Sequence, residues 1–388
     1  MRCMCCGPRC QRCRCQCCCC RCCCFCHCHC RNCNPAPPPP PPPPEPGTEE
    51  NPFLISTAEE LDGLRDYLGT AGLGKYFKLK NDIDLTDFLS PGRRREYDGL
   101  GWEPIGSASA SFQGNLDGDG HKITGLWIDR PDTDTIGLFG HIDQGSVKNL
   151  GVELTEEGVS GHGNVGGLAG TVSNERIENC YAIGNVAGVG HVGGLVGYAD
   201  DGAGHVVNIK NCHAEGEVLA IAWAGGLVGF YSSGGVIEKC WSDSEVHADS
   251  IGVGGLLGSG SNGKIKNCYA KGAVECHDFS GGFIGWAGHY GPFEIEKCYA
   301  AGAVSGMYDI GGFAGKATDT DISGSFFDIE ATGQKNGVGS GPGTGVTGKM
   351  TDEMKEKSTF TDAGWDFDHI WTIDEGYGYP YFRPKLIE

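Results

Sequence analysis

Ile209-Lys210-Asn211-Cys212-His213-Ala214-Glu215-Gly216-Glu217-Val218 is the stretch that decides how this chain folds. From Cys212 onward its parity is strict: Cys212, Ala214, Gly216 and Val218 are small or apolar, while His213, Glu215 and Glu217 are large or charged. An alternation of period two describes a half-buried strand. The same parity returns at Cys268, Ala270, Gly272 and Val274, with Tyr269 and Lys271 in the outward places.

The stretch is one copy of a repeat. Its counterparts begin at Ile177, Ile237, Ile265 and Ile295, and a degenerate copy at Ile322 has Ser325 in the Cys place. Gly-Gly doublets followed by Leu or Phe accompany them at Gly166, Gly193, Gly225, Gly254, Gly281 and Gly311. Self-similarity at about 27 to 32 residues means a stacked array, in which each unit buries its apolar side only against its neighbours. A unit of two or three strands with Gly-rich corners makes one coil of a parallel β-helix, with equivalent residues stacked about 4.8 Å apart. Sixty-six glycines suit such corners, since Gly takes a positive φ at little steric cost.

The formal charge is −20, and the first 50 residues are net basic, so the remainder is more acidic still. That balance argues against nucleic acid or an anionic membrane as partner. No run of 18 apolar residues exists to span a bilayer. Seventeen of the 23 cysteines fall in residues 1–34. This segment reads as a thiolate metal cluster or acylated anchor, as a disordered tail, or as a secretory leader displaced by a reading frame that turns CTG into TGC. Residues 35–50 are a polyproline spacer. Cys180, Cys212, Cys240, Cys268 and Cys298 instead hold one strand position each, where a free thiol packs as a small hydrophobe or bridges to the adjacent coil as a disulfide. Cys276 stands off that ladder beside His277, and neighbouring strand residues face opposite ways.

Residues 51–135 are expected to form an N-terminal cap and the first coils. Ser56 or Thr57 caps a helix that has Glu59 and Glu60 in its first turn and Leu61, Leu64 and Leu68 on one face. Residues 136–330 hold the repeats, and residues 331–388 a Gly-rich loop, a short helix and an aromatic segment that closes the far end. Asn115-Leu116-Asp117-Gly118-Asp119-Gly120 looks like half of a calcium loop, but its twelfth position is Leu126 instead of Glu, so it reads as a turn.

Val165-Gly166-Gly167-Leu168-Ala169-Gly170, Val192-Gly193-Gly194-Leu195-Val196-Gly197 and Ala224-Gly225-Gly226-Leu227-Val228-Gly229 resemble the Gly-Leu-any-Gly, or GLUG, repeats of bacterial secreted and surface proteins. The likeness extends over residues 51–388. It implies an all-β fold, a right-handed parallel β-helix with a short N-terminal capping helix and an aromatic-rich C-terminal cap. It also implies a secreted or cell-surface setting and roles in adhesion or as a stalk. Some IgA-cleaving metallopeptidases carry such repeats beside a zinc protease domain, whose His-Glu-x-x-His signature does not occur in this chain.

Stacking gives the outward residues meaning. Tyr181, His213, Trp241, Tyr269 and Tyr299 should form an aromatic ladder that contacts a glycan or a cell-surface protein, or simply covers itself as cross-strand pairs do. Glu215 and Glu217 should stand beside Asp243 and Glu245 on the next coil, where repulsion favours a calcium ion, a shared proton or splayed side chains. Paired carboxylates also suit glycosidic cleavage, which makes a carbohydrate-active enzyme the alternative to a binding protein. No other cofactor is implied, and an open coil end allows end-to-end self-association.

Overall fold

Each repeat lays strands on three parallel sheets, short on two of them and up to 14 residues long on the third, and they pair with their counterparts one repeat away. Sheet I has ten strands, from Phe53–Ile55 to Thr320–Ser323; sheet II has eight, from Phe139–Asp143 to Val338–Ser340; sheet III has sixteen segments, from Ile83–Asp84 to Val346–Lys349. The structure, a computed structural model, describes residues 44–92, 99–174, 176–200 and 206–383. The expectations for the Cys-rich segment and for most of the proline segment lie outside these residues. The architecture is the expected parallel β-solenoid.

Identical side chains fill identical places. Ile177, Ile209, Ile237, Ile265 and Ile295 form one buried column, and Leu168, Leu195, Leu227, Leu256, Phe283 and Phe313 another. The five ladder cysteines are buried free thiols. The backbone N–H of Cys180 donates to the Cys212 sulfur, that of Cys212 to Cys240, and that of Cys240 to Cys268, each at 3.4 Å. Ser325 extends the column by accepting from the Cys298 N–H at 3.2 Å. Burial pushes the Cys180, Cys212, Cys240 and Cys268 thiols well up, which keeps them protonated and inert.

The glycine doublets do not owe their place to positive φ, contrary to expectation. A left-handed corner recurs at the residue before Cys: Asn179 (φ 54°), Asn211 (53°), Lys239 (54°), Asn267 (52°) and Lys297 (54°). Asn is the side chain that best tolerates this region. Its amides also chain together, Asn211 donating to Asn179 at 3.1 Å, Asn179 to Asn149 at 2.8 Å and Asn149 to Asp117 at 2.9 Å. The doublets answer a lack of room. A Cβ on Gly194 would lie 2.7 Å from the Ala214 Cβ across the interior, and one on Gly167 would lie 2.8 Å from the Ala182 Cβ.

Sheet I carries an alternating charge column outside: Lys148, Glu178, Lys210, Glu238, Lys266 and Glu296 on successive rungs. Lys266 reaches Glu238 at 3.0 Å, and Lys210 reaches it at 3.7 Å. Each such surface pair contributes only about 0.2–1 kcal/mol, but the column penalises rung insertion or slippage by bringing like charges together.

At the N-terminal end Thr57 caps the helix Ala58–Asp62, accepting from the Glu60 N–H, while Glu60 accepts from the Ser56 N–H at 2.6 Å. The helix is shorter than its apolar spacing suggests, because a 3₁₀ turn takes over at Gly63–Tyr67 and carries the buried Leu64. Toward the C-terminus the Gly-rich segment supplies two further strands, Val338–Ser340 and Val346–Lys349. The expected helix around Thr351 to Lys357 is a 3₁₀ turn at Glu353–Lys355, followed by a helix at Lys357–Thr361.

Gly194→Ala is expected to lower folding stability by about 1–3 kcal/mol through overpacking. Gly378→Ala, whose Cβ meets nothing within 4 Å, should stay within about 0.5 kcal/mol of the parent in a denaturant titration.

Candidate functional site

Because each corner turns Cys inward, the next residue points out from sheet III. Pairing places Tyr181, His213, Trp241, Tyr269 and Tyr299 in one register column. Successive rings lie 5.0, 4.3, 5.7 and 5.1 Å apart with interplanar angles of 15°, 4°, 5° and 8°. Such stacking uses the faces of the inner rings on one another and leaves their edges outward. Tyr181 covers its own remaining face by lying over Gly151, where any Cβ would strike the ring.

The expectation of five open rings fails for two of them. Tyr269 is 5% exposed and Tyr299 0%, packed with Phe326, Phe360, Trp365 and Trp371 in a second core outside the solenoid. The C-terminal aromatic segment lies along the ladder instead of only closing the far end. Tyr299 donates its hydroxyl to the Pro380 carbonyl at 2.7 Å, and the Trp371 indole N–H donates to Asn267 at 3.4 Å. The physical reason is area: burying each large aromatic side chain contributes about 1.5–3 kcal/mol, and the ladder offers a flat apolar wall.

Where the ladder emerges from this cover, a cleft of about 620 Å³ opens between Trp241 and the C-terminal segment. Asn211, Lys239 and Trp241 form one side, and Ile370, Phe382 and Arg383 the other. Arg383 is fixed by donating to the carbonyls of Phe367 and Trp371. Sequence reasoning missed this half of the site. The density of aromatics from Trp365 to Phe382 was its signal, but not its address.

The carboxylate expectation holds as register. Glu215 pairs with Asp243, and Glu217 with Glu245, on adjacent rungs. Asp243 and Glu245 are exposed, and Glu215 and Glu217 are half-buried. Nearby Lys271 lies over the Tyr269 ring at 4.9 Å; burial lowers its pKa, against the attraction of Asp243. Among the described residues, no three His, Cys, Asp or Glu side chains gather in a way that would hold a metal ion.

Burial within the stack pushes His213 from its usual 6.5 down to about 4. The unfolded chain therefore takes up a proton between these values that the folded chain refuses. His213 thus contributes stability that is fully present above about pH 6.5 and is lost as pH falls toward 4. His213→Tyr, which keeps a ring in the stack, should lose less stability between pH 7 and pH 5 than the parent, read as denaturation midpoints at both pH values.

The family described as the GLUG motif matches residues 161–187, 188–219 and 249–275. A protein of Evansella cellulosilytica, provisionally named a Gly-rich membrane protein, is 36% identical over 86% of this chain and 45% of its own length. Halomucin of Haloquadratum walsbyi is 40% identical over 39% of this chain and 2% of its own length. The chain thus spans less than half of these curated relatives. A crystal structure from Bacteroides ovatus, provisionally described as an immunoglobulin A1 protease, superposes with a TM-score of 0.54 at 25% identity, covering 87% of this chain and 94% of that one. A structure named IgA1 protease shares the fold with a TM-score of 0.51 at 16% identity, over 86% of this chain and 25% of its own. No helix among the described residues is long and apolar enough to cross a membrane. The chain thus carries GLUG motifs in three of its repeats, on a backbone built as a parallel β-solenoid.

Proposed function

We propose that this chain is a non-enzymatic β-solenoid, secreted or displayed at the cell surface, that acts in adhesion as a stiff stalk with a binding cleft. The cleft beside Trp241 carries the reading. It sets the edges of Trp241 and Phe382 beside Lys239 and Arg383, the mixture of aromatic and cationic groups that dominates protein recognition. The naming of one relative as a membrane protein and the GLUG repeats support the surface setting. Ring faces taken up by stacking make a protein segment the better partner here than a sugar.

One observation favours a second reading, that of a carbohydrate-active enzyme. Charges alternate along sheet I, yet Glu215 and Asp243, like Glu217 and Glu245, bring like charges together on sheet III. Such a pairing costs stability unless a calcium ion or a substrate compensates it.

Trp241→Ala should weaken retention on an array of cell-surface proteins by about tenfold or more, the scale of a buried aromatic anchor. Unchanged retention would exclude this cleft. Incubation with a polysaccharide panel, with and without calcium, should give no new reducing ends or unsaturated products. Turnover that disappears in Asp243→Asn would replace the adhesion reading with the enzymatic one.

A further inference from the structure

Sheet II carries a second set of rings directly after the last Gly of three of the repeat motifs, at Tyr198, Phe230 and Trp286, with Thr171, Ser259 and Lys316 at that place in the others. The segment after Trp286 folds back upon it. Trp286 stacks on His289 at 3.8 Å, and His289 on Tyr290 at 3.8 Å, both with an interplanar angle of 20°. Trp223 joins His289 from the neighbouring corner at 5.0 Å. Two polar contacts hold the group: the Trp286 N–H donates to Thr318 at 3.0 Å, and Ser259 meets the His289 ring at 3.3 Å. Lys316 lies 4.1 Å from the Trp286 ring centre.

The outermost ring is unlike any in the sheet III ladder. Tyr290 has one face held on His289 and is 70% exposed. A ring ordered beforehand on its inner face loses little freedom when something stacks on its outer one. The corner residues Trp223 and Phe279 hold left-handed φ values of 53° and 58°, a conformation that bulky side chains rarely adopt and that tends to gather at functional sites.

We propose that Tyr290, backed by His289 and Trp286, is a platform for the apolar face of a neutral pyranose sugar. An aromatic face packs against a patch of ring C–H groups. The half-buried Lys316 stands in the same register column as Trp286 and can offer its amine to sugar hydroxyls, while Ser259 is buried against His289 and Tyr198 donates its hydroxyl to Asp200 at 2.8 Å. The net charge of −20 disfavours uronate-rich and sulfated chains, which leaves neutral glycans as the complementary class.

The full chain, titrated with cellohexaose and with a β-galacto-oligosaccharide, should bind one of them, with saturation transfer to the sugar C–H protons. Tyr290→Ala should weaken that binding about three- to tenfold, the scale of one aromatic contact, and Tyr290→Phe should preserve it. Tyr377→Ala, which removes an exposed ring outside sheet II, should leave it unchanged. Binding confined to uronate or sulfated glycans, binding to proteins alone, or equal affinity in Tyr290→Ala would each overturn the assignment.

Discussion

The constraint on which the rest depends is the narrowness of the solenoid at the glycine doublets. Gly194 faces Ala214, and Gly255 faces Ala270, with no space for another carbon between the opposed walls. Once two sheets approach this closely, the rungs from Gly167 to Gly282 hold only small groups there, with Gly on one side and Ala or Ser on the other. Ser242 stands in the Ala place opposite Gly226 and keeps within that limit, whereas toward the C-terminal end Phe327 takes the Ala place and lays its ring against Gly312. Larger side chains are then displaced to the Ile and Leu columns, which set the width of the interior elsewhere.

That width makes every rung resemble the next, and resemblance places like on like. The Cys column, the Asn amide chain and the ring ladder all arise because parallel pairing puts equivalent residues one strand spacing apart. For thiols, amides and rings this proximity is favourable. For charges it is not, and sheet I answers by alternating Lys with Glu from one repeat to the next. A physical rule about stacking thus appears in sequence as alternation at the second position of the Ile-x-Asn-Cys motif.

The columns were legible in the sequence because parity and period are local properties. Cys212 inward and His213 outward follow from alternation alone, and the pairing of Glu215 with Asp243 follows from the period. What the sequence did not show depends on long-range choices. Nothing in Trp371 or Pro380 says that they cover Tyr269 and Tyr299 rather than only the end of the last coil. The left-handed corner at Asn179 was missed because Gly is so abundant that it seemed to own every positive φ. The sheet II rings were missed because Trp286, His289 and Tyr290 come together through a fold-back and not through the period.

Interest therefore moves to the places where repetition fails. The Asn chain runs through Asn149, Asn179 and Asn211 and stops at Lys239, which keeps the left-handed φ without an amide to pass on. Lys in that conformation is less favourable than Asn, so the substitution weakens the corner locally. Lys297 makes the same exchange but spends its charge on Glu296 at 2.9 Å. Lys239 instead lines the cleft beside Trp241. A stacked array gains most from keeping its columns unbroken, so a break that costs stability and places a cation at an aromatic edge is best understood by what that cation can meet from outside.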